Sequence, residues 1–172
     1  LTYPGDDNTF YCSYQSGGIL RTYDGGDNFD YINTTGQEGA WLTPIAMSPV
    51  NPSVIWMGLE DLWKSTDGGD NWTDLTQGRL QGEKIDEITV APSNPLSIYF
   101  SNNDSLYITH NGGSSWTAMQ PMSGYYIAGI AVSAEDDEKL WIALSASGGD
   151  QVLRSTDGGL NWTSITGALS GV

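Results

Sequence analysis

Groups able to do chemistry are few in this chain. Its 172 residues hold one His and one Cys, and six Lys and Arg stand against 21 Asp and Glu, a formal net charge of -15 at pH 7. Serine or cysteine catalysis needs a base within reach of the nucleophile, yet His110 stands alone before a Gly-Gly pair and no Gly-x-Ser-x-Gly elbow is present. No cluster with metal-ligand spacing accompanies it. What remains is carboxylates with aromatic rings: Trp41, Glu60, Asp61, Asp86, Glu87, Tyr125 and Tyr126, with Lys84, Asn102, Asn103 and Asp104 beside them. A ring face stacks on the apolar face of a sugar while acidic oxygens accept from its hydroxyls, so these types suit carbohydrate binding. Two carboxylates such as Asp61 and Asp86 would serve glycoside cleavage if they faced one sugar at about 5 to 9.5 Å. No catalytic residue is assigned, and no metal or cofactor is expected.

A repeat decides where these residues stand. Thr22-Tyr23-Asp24-Gly25-Gly26-Asp27-Asn28-Phe29 recurs as Ser65 to Trp72, Thr109 to Trp116 and Ser155 to Trp162. From Asp24 to Asp67 is 43 residues, to Asn111 a further 44, and to Asp157 a further 46, so one supersecondary unit repeats along the chain. In the second unit the runs Trp41 to Ser48 and Val54 to Leu59 are β-branched and aromatic, and Pro49 and Pro52 interrupt them. Leu62 to Thr66 reads as a third strand, Asp67 to Asn71 as a turn and Trp72 to Leu75 as a fourth. Four short antiparallel strands per 40 or so residues mark a β-propeller blade. Blades are expected at about 1–33, 41–76, 85–119 and 125–166, within one propeller segment covering 1–172.

Each turn position has a reason. The Asp or Asn oxygen accepts from backbone N–H groups ahead of it, the glycines reach positive φ, and the aromatic residue five places on folds over the hairpin. The Ser or Thr two places earlier offers a hydroxyl to the same loop. The pattern resembles the Asp-box, or BNR, repeat family, matched in full at Ser65 to Trp72 and Ser155 to Trp162, with Thr22, Phe29 and Asn111 as conservative departures. The resemblance implies an all-β propeller of four-stranded blades in which Asp24, Phe29, Asp67, Trp72, Asn111, Trp116, Asp157 and Trp162 are structural. It is similar to the repeats of sialidases, xyloglucanases and sortilin-type domains. A sialidase would need three arginines around its substrate carboxylate, but of Arg21, Arg79 and Arg154 two directly precede boxes, at the wrong strand ends.

Aligned on the boxes, the first blade has its innermost strand missing or nearly so, and Gly167 to Val172 stops where a next one would begin, which points to a piece of a larger ring. The remainder of a longer chain, or a second copy, would close it. Alternate loops fall on opposite rims, so the boxes share one rim with the acidic run Glu135 to Glu138, read as solvated. The carboxylate and aromatic candidates occupy the other. The acidic balance repels phosphate backbones and anionic membranes, excluding nucleic acid as a partner, and no apolar run is long enough to insert into a membrane. Cys12, in a strand-like run, is expected as a buried inert thiol. The sequons at Asn33, Asn71, Asn103 and Asn161 are read as accidental. The expected role is a secreted or cell-surface bacterial module, a non-catalytic interaction scaffold or carbohydrate-binding surface for a polysaccharide or protein partner. A fragment of a xyloglucanase-like glycoside hydrolase is the alternative.

Overall fold

The computed structural model describes residues 1–145 and 151–167, and it contains no α-helix among them. The chain divides into two compact units, Leu1–Ile85 and Asp86–Val172. The first holds sheet 1, of β1 (Thr2–Tyr3), β2 (Asp6–Tyr14), β3 (Gly18–Thr22) and β4 (Asp30–Tyr31). It also holds sheet 2, of β5 (Ile45–Met47), β6 (Ile55–Gly58), β7 (Leu62–Ser65) and β8 (Thr73–Asp74). The second holds sheet 3, of β9 (Glu87–Val90), β10 (Ile98–Asn102), β11 (Ser105–Thr109) and β12 (Thr117–Met119), and sheet 4, of β13 (Tyr126–Val132), β14 (Leu140–Ser145), β15 (Val152–Ser155) and β16 (Thr163–Ser164). Every sheet is an antiparallel blade whose strands lie in chain order.

In sheet 1 the innermost strand is short rather than missing. Its first strand is present as the two-residue β1, and Leu1 extends the pairing by exchanging main-chain bonds with Tyr11 at 2.8 and 3.0 Å. The strand expected from Trp41 is also shorter than read. Pro44 has no N–H to give, so pairing starts at Ile45, and Trp41 and Leu42 lie outside the sheet at 74% and 77% exposure. Cys12 is half-buried rather than buried. The expectation that a next strand begins after Gly167 concerns 168–172, which lie outside the described residues.

The boxes are built alike. Asp67 Oδ1 accepts from the Ser65 hydroxyl at 2.7 Å and from the Asn71 N–H at 2.9 Å, while Oδ2 accepts from the Asn71 amide at 2.7 Å. Ser65 Oγ in turn accepts from Gly69 N at 2.8 Å. Gly68 and Gly69 adopt φ 74° and 103°, where a side chain would be strained, so that the Gly69 N–H turns into the box while the Gly68 N–H donates outward to Ser53 O at 2.8 Å. Asp24 and Asp157 repeat these bonds with Asn28 and Asn161. The third box keeps the geometry and inverts the chemistry. Asn111 accepts from the Thr109 hydroxyl and the Ser115 N–H through Oδ1, but its Nδ2 donates to Ser115 Oγ at 2.8 Å. The paired change, Asn for Asp with Ser for Asn, leaves one donor facing one acceptor.

The boxes also fasten sheet to sheet within each unit. Trp72 packs into the cluster of Tyr11, Ile19, Ile32, Ile55, Met57 and Leu59, and its Nε1–H donates to Ile32 O at 2.9 Å. Trp162 packs likewise on the cluster around Tyr99, Ile108, Leu140 and Ile142. Each fully buried side chain of this size contributes about 1.5 to 3 kcal/mol, so these clusters supply most of the driving force for pairing the sheets. Phe29 has no such seat; it is 44% exposed and meets only the edge of Phe10, with ring centroids 5.9 Å apart. Trp116 stands edge-on to Phe100, which stacks on Tyr107.

The Asn side-chain amide, then the Asn backbone N–H, hold the Asp24 and Asp67 carboxyls down to about 2. An unfolded Asp ionises near 3.9, so the folded state takes up these protons later. The boxes' contribution is therefore complete above roughly pH 4 and is lost as pH falls toward 2. Thermal melts across this range will show a Tm insensitive to the boxes near neutrality and falling below roughly pH 4. Asp67→Asn alone will lower Tm, because two amide donors then face each other. Asp67→Asn with Asn71→Ser, which copies the third box, will restore most of the loss.

Candidate functional site

On the rim opposite the boxes, the second unit brings several candidates together. Asn103 occupies the β10–β11 turn at φ 52°, a left-handed conformation that Asn tolerates. Asp86, just before β9, fixes this turn, since its Oδ2 accepts from Asn103 N at 2.8 Å and its own N–H donates to Ser101 O at 2.8 Å. The N–H of Ile127 donates to Asn103 O at 2.9 Å, tying the start of β13 to the same turn. Asp104 organises the loop ahead of β13, accepting from Gly124 N at 2.9 Å and from the Gln120 amide at 3.1 Å. The outcome is a cavity of about 240 Å³ lined by Asn103, Asp104, Gly124, Tyr125 and Tyr126. The tyrosines are 39% and 59% exposed, so their rings are available rather than consumed by the core. Glu87, next to Asp86, is half-buried, and burial, with the charge of Asp86 adding to it, raises its pKa.

The first unit treats its candidates differently. Asp61 is 3% exposed and works as a structural acceptor. Its Oδ1 accepts from the Thr76 hydroxyl at 2.6 Å and Gly78 N at 2.8 Å, and its Oδ2 accepts from the Gln37 amide at 2.9 Å. Lys84 pairs with Glu38 at 2.9 Å, Glu60 is half-buried, and Trp41 projects into solvent. Gln37, which also accepts from Trp63 Nε1 at 2.9 Å, gave no signal in the sequence because it lies in a loop with no motif. Asn102 is buried in β10.

A second constellation lies on the box rim of the second unit. Ser97 Oγ donates to Asp137 Oδ2 and lies 2.9 Å from His110 Nδ1. Asp137 also accepts from the Asn94 amide at 3.0 Å, and the Tyr99 hydroxyl donates to the Asp137 carbonyl. The residue types are those of a hydrolytic triad, but their order is wrong. The serine is fully buried between acid and imidazole and gives its proton to the acid, so it is not an available nucleophile. The Asp137 carboxyl is lowered chiefly by Ser97, which makes this member of the acidic run a tether rather than a solvated charge. Asp136 pairs with Lys139 at 2.9 Å.

The family model described as "Sortilin, neurotensin receptor 3", of the Sortilin-Vps10 type, matches residues 60–171. Among solved structures, an ancestral GH74 enzyme superposes with a TM-score of 0.74 and 19% identity, covering 96% of this chain and 23% of its own. The GH74 enzyme of Niastella koreensis gives 0.73 and 24%, covering 95% and 29%. The GH74 xyloglucanase from Xanthomonas campestris gives 0.71 and 18%, with the same coverage. At these identities the likeness establishes the propeller fold. The chain spans between 23% and 29% of the length of these structures. No curated protein matches the sequence.

Removing the Asp61 carboxylate strands the buried Thr76 hydroxyl and the half-buried Gln37 amide and frees the Gly78 N–H. Asp61→Ala will destabilise the first unit by about 3 kcal/mol, as expected for lost charge-assisted bonds with unsatisfied partners, and chemical denaturation followed by tryptophan fluorescence will measure it.

Proposed function

The chain belongs to the Sortilin-Vps10 family, and on that premise we propose that it is a binding module of the cell surface or secreted space, one that holds carbohydrate without chemistry of its own. The observation carrying this reading is the cradle of Tyr125 and Tyr126 above Asn103, Asp104 and Gly124. Two exposed rings supply flat apolar faces, and an amide and a carboxylate supply the directional partners that sugar hydroxyls need. The loops are fixed by main-chain bonds to Asp86 and Asp104, so little ordering would accompany binding. A net charge of -15 favours a neutral or cationic ligand over an anionic one. No helix among the described residues is long and apolar enough to cross a membrane.

The likeness to GH74 structures keeps cleavage as a second reading, with the chain as a fragment of a xyloglucanase-like hydrolase. Against it, Asp61 has both oxygens engaged within its own unit. Asp86 and Glu87 are the carboxyls left for such a role, and the raised pKa of Glu87 would suit a general acid.

Calorimetric titration with soluble neutral polysaccharides, xyloglucan first, is the test. Binding without release of reducing sugar is expected. Tyr126→Ala will weaken it roughly tenfold, the loss of about 1.4 kcal/mol typical of one stacked ring. Sugar release abolished by Glu87→Gln or Asp86→Asn would instead establish the hydrolase, and no binding to any glycan would remove the proposal.

A further inference from the structure

In the first unit the second box is the seat of a buried cation. Arg21 directly precedes the box residue Thr22 on β3 and lies opposite Tyr11 on β2. Its Nη1 donates to Gly68 O at 2.9 Å and to Asp70 Oδ1 at 2.7 Å, and its Nη2 reaches Asp30 Oδ2 at 3.4 Å. The guanidinium carbon lies 4.6 Å from the centre of the Tyr23 ring. A box carbonyl, two acids and an aromatic face thus hold one guanidinium.

The repeat places other residues around the same point of the second unit. Ile108, opposite Tyr99 and just before Thr109, stands for Arg21, and His110 stands for Tyr23. Leu160 and Thr117 stand for Asp70 and Asp30. Isoleucine ends short of where a guanidinium would reach, and a cavity of about 260 Å³ lies there, bounded chiefly by Ile108, His110, Met119, Glu138, Gly158 and Leu160. Small-molecule sites run from about 300 to 1,000 Å³, so this space suits a single side chain rather than an oligosaccharide. Its walls come from sheets 3 and 4, which share one core inside the unit. It sits at the box rim, whereas Ser145, Gln151 and Thr166 lie at the opposite rim.

The walls keep the chemistry that a cation needs. Gly158 and Gly159, at φ 69° and 92°, repeat the backbone of Gly68 and Gly69, so the Gly158 carbonyl is the counterpart of the one that Arg21 binds. The Gly158 N–H donates to Glu138 O at 2.9 Å, as that of Gly68 does to Ser53 O at 2.8 Å. Glu138 therefore brings a carboxylate to the place where the first unit has Ser53, and it stands in for the acid that Leu160 does not supply. Asp157 adds its charge while its oxygens stay bonded within the box. Ser97 Oγ, 2.9 Å from His110 Nδ1, fixes the ring, and Ile108, Met119 and Leu160 offer apolar surface to an aliphatic stem. We propose that this cavity binds the side chain of an arginine presented by a partner polypeptide, its guanidinium reaching the Gly158 carbonyl and the Glu138 carboxylate.

Amide NMR spectra of the chain titrated with N-acetylarginine amide, and in parallel with the citrulline analogue, whose urea group is neutral and nearly isosteric, test this. The arginine compound will move the Gly158, Gly159 and His110 resonances with an affinity on the order of 1 mM, that of a single side chain. The citrulline compound will leave them in place. Gly68 will not move with either, because Arg21 already fills its site. Glu138→Gln will weaken binding roughly fivefold, and Leu160→Asp, which supplies the acid that the second box has, will tighten it by about the same factor. Both positions are exposed, so each variant will keep a well-dispersed spectrum. Gly158 resonances that do not move, that move equally with the citrulline compound, or that respond unchanged in the Glu138→Gln chain would each overturn the proposal.

Discussion

Each blade depends on one oxygen-bearing side chain at the turn before its last strand. A hairpin that doubles back through two left-handed glycines has N–H groups pointing into its own concavity, and a carboxylate or amide oxygen there is the nearest acceptor. Asp24, Asp67, Asn111 and Asp157 all accept two bonds through Oδ1, one from the preceding hydroxyl and one from the N–H four residues on. With the turn closed, the last strand aligns and its aromatic residue is aimed. In the second and fourth boxes that residue reaches the neighbouring sheet of its unit, and the glycines Gly68, Gly69, Gly158 and Gly159 are buried there. Ile32 and Ile108 stand so close to Gly69 and Gly159 that a Cβ would fall 2.8 and 2.6 Å from their methyl carbons. The box is therefore a turn and a docking surface together.

This rigidity on one rim leaves the other free to vary. Loops of the β10–β11 and β12–β13 type carry no repeated motif, yet in the second unit they are bonded to one another through Asp86, Asn103, Asp104 and Gly124. Two of the acidic candidates thus serve partly as scaffolding for the tyrosines beside them. The same economy appears at Asp61, where burial and three donors turn a candidate ligand group into a fastening of the β6–β7 turn. Ser97, His110 and Asp137 do likewise on the box rim.

Repetition made the fold legible. Four copies of one signature with apolar runs between them admit few architectures, and the four sheets follow the sequence closely at every box. Departures occur where local pattern and backbone chemistry compete. Pro44 cuts short the strand expected from Trp41, and Leu1 to Tyr3 pair with β2 although only a stub of strand is available. The site was legible only in part. Tyr125, Tyr126, Asn103 and Asp104 were found from residue type and loop position, and the structure brings them together. Gln37 and Gly124 carried no signal, because their roles come from where a distant loop happens to pass.

The chain's own residues thus settle the local matters: the box turns, the strand count per repeat and the acidic charge. These depend on neighbours a few places apart, whose geometry is set by φ, by hydroxyl and carboxylate chemistry and by strand periodicity. Tertiary structure alone decided which carboxylates face solvent and which are consumed. Asp61 and Asp104 look alike in sequence, each in the turn between second and third strands. Residues 15 to 24 positions away separate them, because Thr76, Gly78 and Gln37 close over Asp61 while Gln120 and Gly124 leave Asp104 at the edge of an open cradle.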